Sequence, residues 1–399
     1  MAFPRTLAVL AAASALVAAC SHGGTRTGSS STTTSAGASP SATSSTPMAA
    51  AAPRICADPA AVPAAMPNVR DKLAQLLMVG VRDGDDARAV VTNYRVGGIL
   101  IGSDTDLSIL TNGVLKDIVA GSGSGPLPVA VSVDEEGGRV SRLKSLLGGR
   151  GPSARELART DTVDQVYDVA LQRGRKMKEL GITVDLAPVV DVTDAPDDTV
   201  IGDRSFGSNP ETVTEYAGAY ARGLRDAGLL PVLKHFPGHG RASGDSHTGG
   251  VVTPPLSDLQ DSDLVPYRTL VTQTPVAVML GHLQVPGLTG DEPASLSKNA
   301  VDLLRNGTGY GGPPFDGPIF SDDLSSMAAI SDRYGVTEAV LRSLQAGTDI
   351  ALWVSTEEVP AVLDRLEQAL AAGELQMSAV DASLVRVARM KNVSASCGH

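Results

Sequence analysis

The pattern of apolar and polar positions changes character along this chain. Residues 7–19 form one short apolar run after Arg5, and residues 21–47 are almost all Ser, Thr, Gly and Ala. From about residue 68, short apolar runs alternate with amphipathic stretches. The apolar runs are 77–81, 98–102, 128–133, 183–189, 231–235, 276–281, 318–321 and 349–354. Several are β-branched and most are apolar throughout, the pattern of parallel strands buried on both faces. Helical periodicity runs through 87–94, 107–119, 163–180, 211–227, 298–306, 337–346 and 359–371, and 379–392 predicts a last helix. Gly181 and Gly228 follow two of these stretches, where a left-handed cap closes a helix.

Strand–helix alternation repeated about eight times is the rhythm of a (β/α)8 barrel of ~250 residues or more. The expectation is therefore an α/β chain with a single TIM-like catalytic domain over residues 55–399. A doubly wound open sheet is the alternative, because periodicity alone does not show closure. No GxGxxG follows the first strand and no Walker loop occurs, which argues against a nucleotide-binding version. The connection over residues 236–275 is rich in Gly, Pro, Ser and His. Connections beyond ~15 residues in compact domains are usually functional.

Composition narrows the class. The chain has 399 residues, 42% hydrophobic and 19% charged, which is ordinary for a soluble globular protein. Aromatics are only 3%, so the core is built from Val, Leu, Ile and Ala. A net charge of −11 argues against nucleic acid as a partner, since phosphate binding needs a basic surface.

The apolar run at 7–19 is too short to span a bilayer and has the shape of a secretory signal. Leu16-Val17-Ala18-Ala19-Cys20 resembles the bacterial lipoprotein cleavage site. That resemblance implies a signal peptide at 1–19, lipidation of Cys20 and a Ser/Thr/Gly-rich tether over 20–54. The alternative is an ordinary signal peptide. The lipoprotein reading places the protein in the cell envelope, on the outer face of the cytoplasmic membrane, touching the membrane only through its anchor. Cys56 and Cys397 remain. In an oxidising compartment such a pair reads as a disulfide, the alternative being two unpaired thiols.

In a barrel, chemistry sits at the C-terminal strand ends and in the loops that follow them. Those positions hold Asp134 in Asp134-Glu135-Glu136-Gly137-Gly138-Arg139-Val140, Arg204 in Asp203-Arg204-Ser205-Phe206-Gly207, and Lys234-His235 before Phe236-Pro237-Gly238-His239-Gly240. They also hold Asp245-Ser246-His247, His282 and Ser321-Asp322-Asp323-Leu324. These spaced motifs resemble the NagZ-type β-N-acetylglucosaminidases of glycoside hydrolase family 3, over about residues 68–355.

The resemblance implies a retaining exo-glycosidase that removes terminal β-linked N-acetylglucosamine from cell-wall saccharides, with no cofactor. Retaining enzymes need a nucleophile below the anomeric carbon and an acid at the leaving oxygen, usually two carboxylates ~5 Å apart. Here the family match makes Asp322 the nucleophile and His247 the acid/base. Asp245 orients the ring, in the manner of a Ser-His-Asp arrangement. Asp134, Arg142, Arg204, Lys234 and His235 are implied to contact sugar hydroxyls or the acetamido group. A Lys at a buried strand end is costly without a partner, which supports a site role for Lys234. Arg142 also reads as a simple helix-face charge. His282 reads as a loop support, Asp323 as an N-cap for 324–330, and Asp185 and Asp191 as structural residues flanking the fourth strand.

Two rival classes stay open on the sequence. His235, His239, Asp245 and His247 cluster as zinc ligands do, but match no HExxH-type spacing, and Lys234 would repel a cation. The expected site therefore holds no metal. A solute-binding lipoprotein would share the anchor and tether, but would carry aromatic sugar platforms, and this chain has a single Trp353. Within the enzyme class, a neutral histidine repels phosphate less than a carboxylate would, so phosphorolysis stays open beside hydrolysis. The expected partner is a small saccharide and the expected state a monomer.

Overall fold

The computed structural model describes residues 58–122 and 127–392. The expectations for the signal peptide, tether, Cys20, Cys56 and Cys397 lie outside the described residues.

All eight apolar runs form strands: β1 Leu77–Val81, β2 Gly98–Ile101, β3 Ala130–Val133, β4 Val184–Asp185, β5 Leu230–Phe236, β6 Ala277–Leu280, β7 Ile319–Ser321 and β8 Ala351–Trp353. They make one parallel sheet in the order β7-β6-β5-β4-β3-β2-β1-β8. Its two ends meet at a parallel bridge between Phe320 and Ile350. There the Ser321 amide donates to the Ile350 carbonyl at 3.0 Å and the Ser321 hydroxyl accepts the Leu352 amide at 2.9 Å. The sheet is thus a (β/α)8 barrel and not an open, doubly wound one.

Eight helices follow the strands: α1 Gly84–Tyr94, α2 Val114–Gly121, α3 Val163–Glu179, α4 Pro210–Asp226, α5 Val265–Leu270, α6 Lys298–Asn306, α7 Val336–Ala346 and α8 Val359–Ala372. A terminal helix, α9, spans Met377–Asn392. Local chemistry sets their ends. Thr162 and Gln165 form a capping box at the start of α3, Asn209 caps α4, and Gly181 and Gly228 follow the two helices at φ of 92° and 86°. α3 and α4 approach closely: a Cβ on Gly223 would lie 2.5 Å from the Tyr167 carbonyl oxygen, so only glycine fits there.

Two expectations need correction. The stretch 107–119 is not one helix but a 3-10 turn at Leu107–Leu110 followed by α2, because Gly113 takes a left-handed φ of 86° between them. The connection over 236–275 is not a bare loop, since it holds a short helix at Leu256–Gln260 and the barrel helix α5, too short for periodicity to reveal.

The barrel seam is tied from below. Buried Asp349 pairs with Arg305 of α6 at 2.5 Å and with Arg386 of α9 at 2.9 Å, and accepts the Ser383 hydroxyl and the Ile319 amide. The last helix is therefore stitched, through Asp349, to the strand that Asp322 follows. Among the described residues no helix is long and apolar enough to cross a membrane.

Candidate active site

Asp322 follows β7 directly, and its amide donates to the Leu280 carbonyl of β6 at 3.0 Å, so the backbone is fixed between neighbouring strands. Burial alone would raise its carboxyl. His282, His235, the Asp323 amide at 2.8 Å and Lys234 together hold it below the ordinary carboxylate value. A group so placed is ionised and aimed from a rigid strand end, as a nucleophile needs. Asp323 turns away. Its carboxylate accepts the Ser325 amide at 2.9 Å and the Ser326 amide at 3.2 Å, capping a turn at 324–326 and not a helix.

His282 lies behind this pair. Its Nε2–H donates to the Asp323 carbonyl at 2.7 Å, and Nδ1 sits 2.7 Å from the buried Ser295 hydroxyl. Burial pushes the ring below the usual histidine value, against the opposing pull of the neighbouring Asp322.

The sugar-binding candidates form a charge-compensated cluster. Lys234 Nζ reaches Asp134 Oδ1 at 2.6 Å and Glu136 Oε1 at 2.7 Å. Arg204 grips Glu136 with Nε and Nη2, both at 2.8 Å, and donates Nη1 to the Val200 carbonyl at 3.1 Å. Burial opposes charge on each group, and the mutual pairing overrides it. Glu136 is held far below the ordinary value, and Lys234 and Arg204 are held above theirs. Asp134 stays partly exposed, and its Oδ2 has no protein hydrogen bond among the described residues. Arg142 is half-buried and, among the described residues, makes no hydrogen bond or ion pair.

The pairing register between β5 and β6 shifts between Leu233 and Phe236. Such an irregularity re-aims side chains, and here it lets consecutive residues serve one site. Lys234 faces the carboxylates while His235 Nδ1 lies 2.7 Å from Asp191 Oδ2. Asp191 is 1% exposed and also accepts the amides of His235 at 3.3 Å and His239 at 2.7 Å. Burial would raise Asp191, but the two histidines hold it below its ordinary value. Nδ1–H therefore donates to Asp191.

The Asp245–His247 pair stands apart on its loop. His247 Nδ1 lies 2.7 Å from Asp245 Oδ1, which also accepts the His247 amide at 3.0 Å. Burial tends to raise Asp245, and those bonds from His247 lower it below the ordinary value. The ring is 59% exposed, so Nε2 is accessible to a leaving group or water. No hydrogen bond or ion pair joins this dyad to Asp322 among the described residues. Its loop instead lies against the segment after Asp322, with the Ala329 amide donating to the Ser246 carbonyl at 3.1 Å.

The residues missed in the sequence are carboxylates that act through others. Glu136 appeared only inside the Asp134–Val140 run, and Asp191 only as a strand-end residue. The signal was available, because a lysine and an arginine buried at a barrel rim require anions. Asp185 is fully buried, with Oδ1 accepting the Glu135 amide at 3.1 Å. Trp353 is buried too, so it offers no platform to a sugar. Among the described residues no group of three or more His, Cys, Asp or Glu is gathered to hold a metal.

The chain resembles known proteins over most of its length. The family described as glycosyl hydrolase family 3 N terminal domain matches residues 68–390. The chain is 76% identical over 398 residues to the β-hexosaminidase LpqI of Mycobacterium tuberculosis, covering 100% of both. The solved structure of M. tuberculosis LpqI superposes with a TM-score of 0.83 at 78% identity, covering 85% of this chain and 98% of that one. A family 3 β-N-acetylglucosaminidase from Paenibacillus sp. FPU-7 matches at TM-score 0.75 and 32% identity, covering 83% of this chain and 64% of that one. On its barrel and these matches, the chain belongs to glycoside hydrolase family 3 and is a β-hexosaminidase.

Proposed function

We propose that the chain removes terminal β-linked N-acetylglucosamine from peptidoglycan-derived saccharides by a retaining mechanism, with Asp322 as nucleophile and His247 as acid/base. The observation that carries this reading is that the loop against the segment after the ionised Asp322 holds an exposed imidazole whose Nδ1 lies 2.7 Å from Asp245. In the first step an Asp322 oxygen forms a bond to the anomeric carbon. The glycosidic C–O bond breaks, and the Nε2 proton of His247 passes to the leaving oxygen. In the second step Nε2 takes a proton from water as that water attacks the anomeric carbon, and the bond to Asp322 breaks. The acetylglucosaminidase name of the Paenibacillus relative supports the choice of sugar.

The test is the anomeric configuration of the first sugar released from a β-N-acetylglucosaminide, followed by proton NMR. Retention gives the β-anomer first, and the α-anomer first would overturn the mechanism. Repeating the reaction with phosphate separates hydrolysis, which gives free sugar, from phosphorolysis, which gives sugar 1-phosphate. Defined muropeptides, with and without the peptide stem, test the substrate.

The cellular placement rests on the sequence around Cys20. The proposal is an exported monomer, lipidated at Cys20 and closed by a Cys56–Cys397 disulfide. Palmitate labelling that persists in Cys20→Ala, or two free thiols in native protein by mass analysis, would refute the respective parts.

A further inference from the structure

The loop that carries the dyad has one buried residue. From Arg241 to Gly250 the side chains are exposed or half-exposed except Ser246, which is 1% exposed and stands between Asp245 and His247. Its hydroxyl lies 3.3 Å from Nε2 of His239, itself 4% exposed. His239 is fixed from below: its amide donates to Asp191 at 2.7 Å, the carboxylate that also holds the His235 ring. The next residue, Gly240, lies flat on the barrel, since a Cβ there would sit 2.1 Å from the Val192 carbonyl oxygen. Burial and the neighbouring His235 keep the His239 ring below its ordinary value, hence neutral. Among the described residues its buried Nδ1 has no hydrogen-bond partner, so the lower-cost tautomer carries the proton on Nε2 and donates it to the Ser246 hydroxyl.

We propose that His239 and Ser246 form a latch that holds the Asp245–His247 dyad in register over the site. Both are thus positioning residues for the proton-transfer steps. The inference rests on His247 being the acid/base. It gives Asp191 a double task, because one carboxylate orients the sugar-facing His235 and, through His239, the loop that delivers the proton. Backbone bonds keep the loop folded without the latch: Thr248 N–H to the Asp245 carbonyl at 3.0 Å, Ser243 N–H to the Val252 carbonyl at 2.8 Å, and Ala329 N–H to the Ser246 carbonyl at 3.1 Å. The latch therefore sets where the imidazole stands, not whether the loop exists.

The test compares Ser246→Ala, His239→Phe, His239→Gln and His247→Ala on two substrates. One is a dinitrophenyl N-acetylglucosaminide, whose leaving group needs no acid, and the other is diacetylchitobiose, which needs one. Misplacing a catalytic group by about 1 Å costs up to ~100-fold. For Ser246→Ala and His239→Phe, turnover of the disaccharide is expected to fall roughly 10- to 100-fold. The burst of dinitrophenol should persist in both, with azide accelerating its steady state. His239→Gln returns a polar atom near the Nε2 position and should recover much of the loss, which a purely structural defect would not show. Equal losses on both substrates, or no loss on the disaccharide, overturn the latch while leaving His247 in place if His247→Ala remains selective and azide-rescued. If His247→Ala itself shows no selectivity, the acid/base assignment falls and the latch with it.

Discussion

Glu136 and Arg204 form a bidentate pair, Nε to Oε2 and Nη2 to Oε1, both at 2.8 Å, with Lys234 adding a third contact to the same carboxylate at 2.7 Å. One anion thus sets the angle between the two cations proposed to bind the sugar. Glu136→Gln keeps the shape but removes the charge and places an amide donor against a cation. Breaking a buried pair in this way costs about 3–5 kcal/mol. The expected outcome is a lower thermal midpoint together with a raised KM, read from denaturation and steady-state kinetics on one preparation. A normal KM would show that Glu136 supports the fold alone.

Asp322→Asn is expected to fold normally and to lose roughly a thousandfold or more in kcat, because no glycosyl–enzyme bond can form. Mass spectrometry with a slow substrate should find the covalent adduct in the parent protein and none in the variant. A stable variant with substantial turnover would exclude Asp322 as nucleophile.

Arg142 makes no protein hydrogen bond or ion pair among the described residues, yet it is half-buried beside the Asp134–Val140 segment. Arg142→Ala is therefore expected to change stability within about 0.5 kcal/mol while raising KM. An unchanged KM would make the residue a surface charge.

Asp185 sets a pH dependence of stability. It is fully buried; burial first, and then Glu135 and Asp134, raise its carboxyl well above the ordinary value, against the Glu135 amide and Lys234. A carboxyl raised in the folded state contributes fully below its unfolded pKa of about 3.9, where both states are protonated. That contribution is lost as pH rises from there through the raised folded value, because only the unfolded chain gives up its proton. Asp185→Asn mimics the protonated form and does not titrate. Its stability relative to the parent should therefore rise with pH above about 4 and level off above the folded pKa. Urea denaturation across that range measures it, and a flat difference would mean that Asp185 is ionised in the fold.

Much of the fold was legible in the sequence because a barrel strand buried on both faces writes itself as an apolar run. All eight runs became strands, and Gly181 and Gly228 marked helix ends through a local, backbone-level preference. The candidate site was legible as motifs for a similar reason: strand ends and the loops after them gather polar residues in short windows, as in Lys234-His235 and Asp245-Ser246-His247. Closure was decided elsewhere. It depends on Ser321 meeting Ile350 and Leu352, and on Asp349 drawing Arg305 and Arg386 to the seam, contacts between residues whose spacing carries no periodic signal. The same holds for Glu136 and Asp191. A buried cation announces that an anion must exist, but which of several carboxylates supplies it depends on where residues 44 to 98 positions apart come to lie, and burial turns that meeting into charge, tautomer and direction only once the barrel has closed.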